Sequence, residues 1–371
     1  MAFSPKGNNM KKTFQKIASI LILAVVVTVF SVAFVGCNTG LKVDGSAKNV
    51  ILLIGDGMGL EHLEAVKAYY GLESLYMETM TDRYFEQTTN NRSNQVTDSA
   101  AASTALSCGK KTDNGSLATL NGKKLQNMSE YVAKHKMDMG IVVTEKVTGA
   151  TPAGFASHAD ERSEDSFILS GYMSSDVDLF ISANSAVVMT NEQTILDKGF
   201  TRYNSVADLS ENAYSNKKIF VTDEEFAGYG EEGASLKDAS LFAINYLDQK
   251  SDNGFFAMIE SSHIDKLSHN NDFVEMAEEL RAFDETIKAV LEWAKQDGET
   301  LVIITADHET GGLQYNPGDA FKSHLFTSRD HTGANVGVFV YGLKDSDLEG
   351  ITVLDNIEIC DLMRKYIKNY R

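Results

Sequence analysis

Five short stretches of this chain bring together acidic, imidazole and hydroxyl side chains that could do chemistry. Gly55-Asp56-Gly57-Met58-Gly59 sets one carboxylate between glycines, which let another group approach the backbone closely. Alone, Asp56 reads equally as a turn residue or a ligand, and the stretch lacks the GxGxxG spacing of a dinucleotide loop. Val96-Thr97-Asp98-Ser99, followed by small residues to Ala105, suits a helix whose free N–H groups and dipole face an anion. Asp98 or Ser99 is equally well explained as an N-cap. Between Glu260 and His269, Asp265 and His269 stand four apart, so one helical turn could aim both at a single metal, or leave them as a surface pair. Ala306-Asp307-His308-Glu309 ends in Thr310-Gly311-Gly312, where glycines let the chain turn away, and Asp330-His331-Thr332-Gly333 adds a further imidazole. Carboxylate and imidazole donors without thiolates fit Zn²⁺ in open catalytic sites, and an all-oxygen set fits Mg²⁺. Two such ions about 4 Å apart can activate a nucleophile and stabilise a leaving oxygen in phosphoryl transfer.

These residues need a scaffold that gathers them. Continuous apolar runs at 49–54, 139–144, 179–182, 218–221, 255–260, 301–305 and 336–341 predict strands buried on both faces. Helical patterns lie between them. The clearest places Phe273, Met276, Leu280, Phe283, Ile287, Val290 and Leu291 on one face, and a last helix is expected over 354–370. Strands alternating with helices predict an α/β fold: a three-layer α/β/α arrangement around a mostly parallel central sheet. Such sheets bind ligands beyond the carboxyl ends of their strands, where most of the residues above fall.

Composition narrows the function classes. The 371 residues are 43% hydrophobic and 23% charged, which excludes disorder, and the net charge of -18 argues against nucleic-acid binding. Three cysteines cannot build a disulfide scaffold, and Cys108 and Cys360 read best as small buried hydrophobes. Residues 1–36 carry four lysines and no acid, with no charge from Ile17 to Val35. That is the pattern of a secretory signal or a membrane anchor, and Met10-Lys11-Lys12 is its more natural start. Phe34-Val35-Gly36-Cys37 resembles a bacterial lipobox, with Phe34 in place of the usual Leu; Cys37 would then be lipidated. The expected layout is a signal or anchor over 1–36, a tether over 37–48 and one catalytic domain over 49–371. Either N-terminal reading puts the protein outside the cytoplasm, as a cell-surface lipoprotein or on a membrane anchor.

ILLIGDGMG, VTDSAA, ATPAG, ESSHIDKLSH, TADHETGG and DHTG, in this order, resemble the alkaline phosphatase family from about Asn49 to Gly342. The resemblance implies that Ser99 is the nucleophile and becomes a phosphoserine. It implies that Asp265, His269 and His331 bind a first zinc serving the leaving oxygen, and that Asp56, Asp307 and His308 bind a second zinc that lowers the pKa of the Ser99 hydroxyl. Thr151, Glu260 and Asp56 would hold Mg²⁺. Asp98 would orient the arginine, Arg162 would clamp phosphate with its fork, and Lys266 would reach phosphate through water. His331 is preferred over His324 by its DHTG context, whereas His62, His135, His158 and His263 match no family role. Gly149 stands where many members carry Asp or His beside the third metal, so Mg²⁺ is expected to be held weakly. The family is usually a homodimer, but this shorter chain lacks the loops that embellish the dimer surface.

The implied activity is hydrolysis of small phosphomonoesters. A phosphodiesterase or nucleotide pyrophosphatase of the same superfamily would usually carry Thr as nucleophile and lack the Arg162 clamp. A sulfatase would carry its nucleophile in another motif. A non-catalytic phosphate-binding surface lipoprotein would have lost Ser99 or several ligands, and none is lost.

Overall fold

In the computed structural model, residue 1, residues 41–224, residue 226 and residues 235–371 are described. Ten segments form one sheet: Asn49–Gly55 (β1), Arg83–Thr88 (β2), Asp138–Lys146 (β3), Leu179–Ala183 (β4), Phe200–Tyr203 (β5), Lys218–Asp223 (β6), Phe255–Ser261 (β7), Thr300–Thr305 (β8), Val336–Tyr341 (β9) and Val353–Asp355 (β10). Their order is β10-β2-β9-β8-β1-β7-β3-β4-β6-β5. Every neighbouring pair is parallel except those that β9 makes with β8 and β2. The seven apolar runs are all strands. Three strands have no such run: β2 alternates, with Phe85 and Gln87 inward, while β5 is four residues long and β10 three.

β1, β7 and β8 are buried at every position because helices cover both faces of the sheet. The helices that matter for the site are Ser99–Cys108 (α1), Ala150–Ala156 (α2), Leu236–Lys250 (α3), His263–Asn270 (α4), Phe273–Asp297 (α5) and Asn356–Tyr370 (α6). Successive strand residues point to opposite faces, and β7 shows both layers. Phe255 meets Trp293 of α5, at 5.9 Å between ring centroids, and Phe256 stacks on Phe155 of α2 at 6.1 Å. All seven apolar positions predicted for the face of α5 are buried. The last helix begins two residues later than expected, at Asn356, because Val353–Asp355 is drawn into the sheet beside β2 and Asp355 caps the helix.

On the other layer, α1 is buried along all ten residues and its small side chains let α2 come close. The Ser103 hydroxyl donates to the Ala150 carbonyl at 3.1 Å and Ser107 donates to Gly154 at 2.5 Å. Cys108 and Cys360 are buried free thiols, and burial pushes the Cys108 thiol up to about 12.

Residues 43–371 form one compact unit. Asp44 to Lys48, expected to end a tether, are bound within it: the N–H groups of Asp44 and Gly45 donate to the buried Asp347 carboxylate, and that of Lys48 to the Glu299 carbonyl. The apolar stretch 17–35 and Cys37 lie outside the described residues. Among the described residues no helix is long and apolar enough to cross a membrane.

Asp284, on α5, holds down the start of the short helix Tyr76–Thr79. Its fully buried carboxylate accepts from the N–H groups of Tyr76 and Met77, each at 3.0 Å, and pairs with Arg281 at 3.0 Å. Asp284→Ala leaves a buried N–H of Met77 and a part-buried N–H of Tyr76 without their acceptor and takes from Arg281 one of its two carboxylate partners. It should lower the unfolding free energy by about 3 kcal/mol, read from urea denaturation midpoints.

Candidate active site

The register of the three central strands puts their carboxyl ends level. Ile54 lies opposite Thr305 on one side and Glu260 on the other, and Val143 of β3 lies opposite Glu260 in turn. Asp56, Glu260 and Asp307 therefore emerge at one edge of the sheet from adjacent strands. Gly57 makes the first turn possible. Its φ of 74° is left-handed, its N–H donates to Asp307 Oδ1 at 3.1 Å, and a Cβ there would lie 2.8 Å from the Asp265 backbone.

Two groups of three side chains have donor atoms within 4.8 Å of one another: Asp56, Asp307 and His308, and Asp265, His269 and His331. In the first, His308 Nε2 lies 3.2 Å from Asp307 Oδ2 and 3.7 Å from Asp56 Oδ1. All three residues are buried, and Asp56 Oδ1 and Asp307 Oδ2 receive no hydrogen bond. Burial, then the charge of Asp307, pushes the Asp56 carboxyl well above its usual range, and burial pushes the His308 imidazole down to about 3. A neutral imidazole beside two carboxylates, each with an oxygen that receives no hydrogen bond, suits a divalent cation.

The second group hangs on α4 and the segment after β8. Asp265 Oδ1 lies 3.4 Å from His269 Nε2 and 3.6 Å from His331 Nε2. Each histidine is fixed from behind by a backbone carbonyl: His269 Nδ1 faces the Arg329 oxygen, and His331 Nδ1 lies 3.1 Å from the Thr97 oxygen. With Nδ1–H donating to a carbonyl, Nε2 presents its lone pair forward, and the two Nε2 atoms stand 3.1 Å apart. The His308 and His331 rings stack at 3.6 Å, so the two groups lie side by side. Thr310 ties them together: its hydroxyl donates to Asp265 Oδ1 at 2.5 Å and lies 3.2 Å from His308 Nδ1.

Asp98 does cap α1, accepting from the Ala101 N–H at 2.9 Å. Its other oxygen accepts from the Gly115 N–H at 3.0 Å and from Arg162 at 3.1 Å. Ser99 is thereby the first residue of a ten-residue helix, with its Oγ 3.3 Å from His308 Nε2. A buried hydroxyl beside the first group, over a helix N-terminus and near a guanidinium, is placed to attack an anion.

A third set is oxygen only. Thr151 Oγ1 and both oxygens of Glu260 are buried without a hydrogen-bond partner, as is Asp56 Oδ1. The Ser262 hydroxyl is near enough to act on Glu260 but outside bonding geometry. Orphaned buried oxygens of this kind fit a hard cation. Lys266 pairs with Glu145 at 3.0 Å. Sequence reasoning passed over Glu145, although it sits at a strand end like the ligands, and over Thr310, which lies inside a quoted motif.

The remaining histidines belong to neither group. His62, which burial pushes down to about 3, meets the Ser268 hydroxyl at 3.1 Å beneath His269. His135 and His158 meet backbone carbonyls, and burial holds His263 at about 4. His324 is exposed and belongs to neither group.

A sequence model described as alkaline phosphatase matches residues 47–178 and 214–328. Alkaline phosphatase 3 of Bacillus subtilis is 32% identical over 339 residues, covering 82% of this chain and 71% of that protein. The solved alkaline phosphatase of the Antarctic bacterium TAB5 superposes with a TM-score of 0.78 at 30% identity, covering 87% of this chain and 98% of that one. A mutant of that enzyme with Mg bound in its M3 site matches with the same TM-score at 29% identity. A family match over most of the chain, a relative 32% identical and a shared fold agree, and the chain belongs to the alkaline phosphatase family.

Proposed function

We propose that this chain hydrolyses small phosphomonoesters through a phosphoserine on Ser99. The observation that carries the reading is the position of the Ser99 hydroxyl, 3.3 Å from His308 and at the start of α1, with Arg162 held beside it by Asp98. The Ser99 oxygen attacks phosphorus, the bond to the ester oxygen breaks, and the alcohol leaves with a proton. Water then cleaves the Ser99–phosphate bond and frees inorganic phosphate. Arg162 offers two parallel N–H groups to two phosphate oxygens, and the N-terminal N–H groups of α1 face the same charge. Lys266 adds a cation at the rim.

The N/O donor sets Asp56, Asp307, His308 and Asp265, His269, His331 suit zinc, and the oxygens of Asp56, Thr151 and Glu260 suit magnesium. A relative solved with Mg in its M3 site supports the latter. Bound there, these ions would supply positive charge that acidifies the Ser99 hydroxyl and offsets charge on the departing oxygen. Ser99 together with Arg162 favours a monoester, since a diester has one fewer free oxygen for the guanidinium. Export, with tethering through Cys37, belongs to the same reading and is supported by the charge pattern of residues 1–36.

Incubation with labelled phosphate at acid pH should place label on Ser99 alone, and Ser99→Ala should lose on the order of 10³-fold or more in kcat. Label on another residue removes the assignment. Wild type should cleave a chromogenic monoester, lose that activity to a chelator and regain it with zinc. Arg162→Ala should cost about 10- to 100-fold in kcat/KM on the monoester and less on the matching diester. Equal losses would make Arg162 a structural residue. Cys37→Ser should abolish fatty-acid labelling in cells; unchanged labelling would favour an uncleaved anchor.

A further inference from the structure

The third, all-oxygen set has an unusual neighbour. Gly149 precedes α2 as its N-cap with φ of -55°, an ordinary value, so glycine is not required there for backbone conformation. What the position provides is room. A Cβ on Gly149 would overlap the Glu145 carboxylate, and the three nearest atoms to it all belong to Glu145. Glu145 sits near the end of β3, and the chain turns between them with the Gly149 N–H donating to the Lys146 carbonyl at 2.9 Å. The Glu145 side chain therefore occupies the space above the start of the helix that carries Thr151. The space that a side chain at position 149 would take is thus filled by a residue four positions earlier.

The direction in which Glu145 acts is equally specific. β3 lies beside β7, with Val143 level with Glu260, so Glu145 rises at the same edge of the sheet as Glu260. The only ion pair of Glu145 among the described residues is with Lys266, whose side chain is about half exposed. Glu145, two residues beyond Val143, thus shares a sheet face and edge with Glu260, where the Thr151 hydroxyl, Asp56 Oδ1 and both Glu260 oxygens are buried and receive nothing. One half-solvated ammonium does not balance that charge, and a divalent cation does.

We infer that Glu145 is the additional acidic partner of the magnesium site formed by Asp56, Thr151 and Glu260, admitted by the absence of a side chain at Gly149 and held in place by Lys266. Mg²⁺ wants six oxygens and keeps water to complete its shell, so a further carboxylate beside three protein oxygens holds either the ion or its water. Lys266 then sets the carboxylate's orientation while its own ammonium stays at the rim. The inference rests on the proposed reading of a third cation site. It reverses the consequence drawn from Gly149 alone, because an acidic side chain placed there would collide with Glu145 instead of filling a gap.

The test is Mg²⁺ binding to the full chain, stripped of metal, reloaded with zinc and titrated with magnesium chloride by calorimetry, with metal content counted after dialysis. Wild type should hold two zinc ions and take up one Mg²⁺. Glu145→Gln should weaken the Mg²⁺ Kd by about 10- to 100-fold with zinc content unchanged. Gly149→Ala, which displaces the Glu145 carboxylate, should weaken it comparably. The double variant should lose no more than Glu145→Gln alone, since both changes act through one group. An unchanged Kd in Glu145→Gln, or additive losses in the double variant, overturns the role of Glu145 while leaving the three-metal reading intact. If zinc-loaded wild type takes up no Mg²⁺, the third site itself fails, and the inference with it.

Discussion

The structure turns on carboxylates that emerge from adjacent parallel strands at one edge of a sheet with little among the described residues to balance them. Asp56 follows β1, Glu260 lies in β7 and Asp307 follows β8, and the register makes them neighbours whatever their side chains prefer. Each has at least one oxygen buried without a donor. Desolvation and mutual repulsion both oppose ionisation there, so a folded chain without cations carries an electrostatic cost at its centre. Bound ions remove that cost, and their binding free energy adds directly to the stability of the fold.

The rest of the architecture serves that edge. Gly57 folds the chain back so tightly that its N–H reaches Asp307. The apolar residues of α5 and the small residues of α1 and α2 clamp the strands from two sides, and the register cannot slip without moving every ligand. Asp98 links helix and site: one carboxylate accepts from the Ala101 N–H of α1, receives the Gly115 N–H and fixes Arg162. Loss of that side chain would disturb a helix start and the hold on Arg162, the proposed substrate clamp, together.

Legibility in the sequence follows from how strongly each position is constrained. A strand buried on both faces must be apolar at every residue, so β1, β7 and β8 can be read directly. β2 alternates, β5 has only four residues at the sheet edge, and β10 runs straight into α6, whose periodicity conceals it. The ligands are legible for a related reason: Asp and His are out of place beside a buried strand unless something pays for their burial. Glu145 has no such signature. In Thr144-Glu145-Lys146 it reads as part of a charged turn, and its importance depends on the pairing of β3 with β7 and on a gap left by a glycine four residues away. Neither is a property of local sequence.

The two groups of nitrogen and oxygen donors also differ from each other in a way that suits ester cleavage. The side chains of Asp307 and His308 have no exposure and that of Asp56 has 7%, whereas Asp265, His269 and His331 have 13, 38 and 17%. The sealed group lies against Ser99, where water would compete with a hydroxyl for the same electrophile and would weaken every electrostatic interaction around it. The open group stands on α4 and on the segment after β8, outside the central strands, with each imidazole aimed by a single carbonyl. An alcohol must depart and water must enter on one side of the phosphate. In the proposed reaction, attack from the side opposite the leaving oxygen would put the nucleophile at the dry group and the leaving oxygen at the wet one. Burial at one centre and exposure at the other thus follow from a single demand, that the attacking oxygen be shielded while the departing one is released.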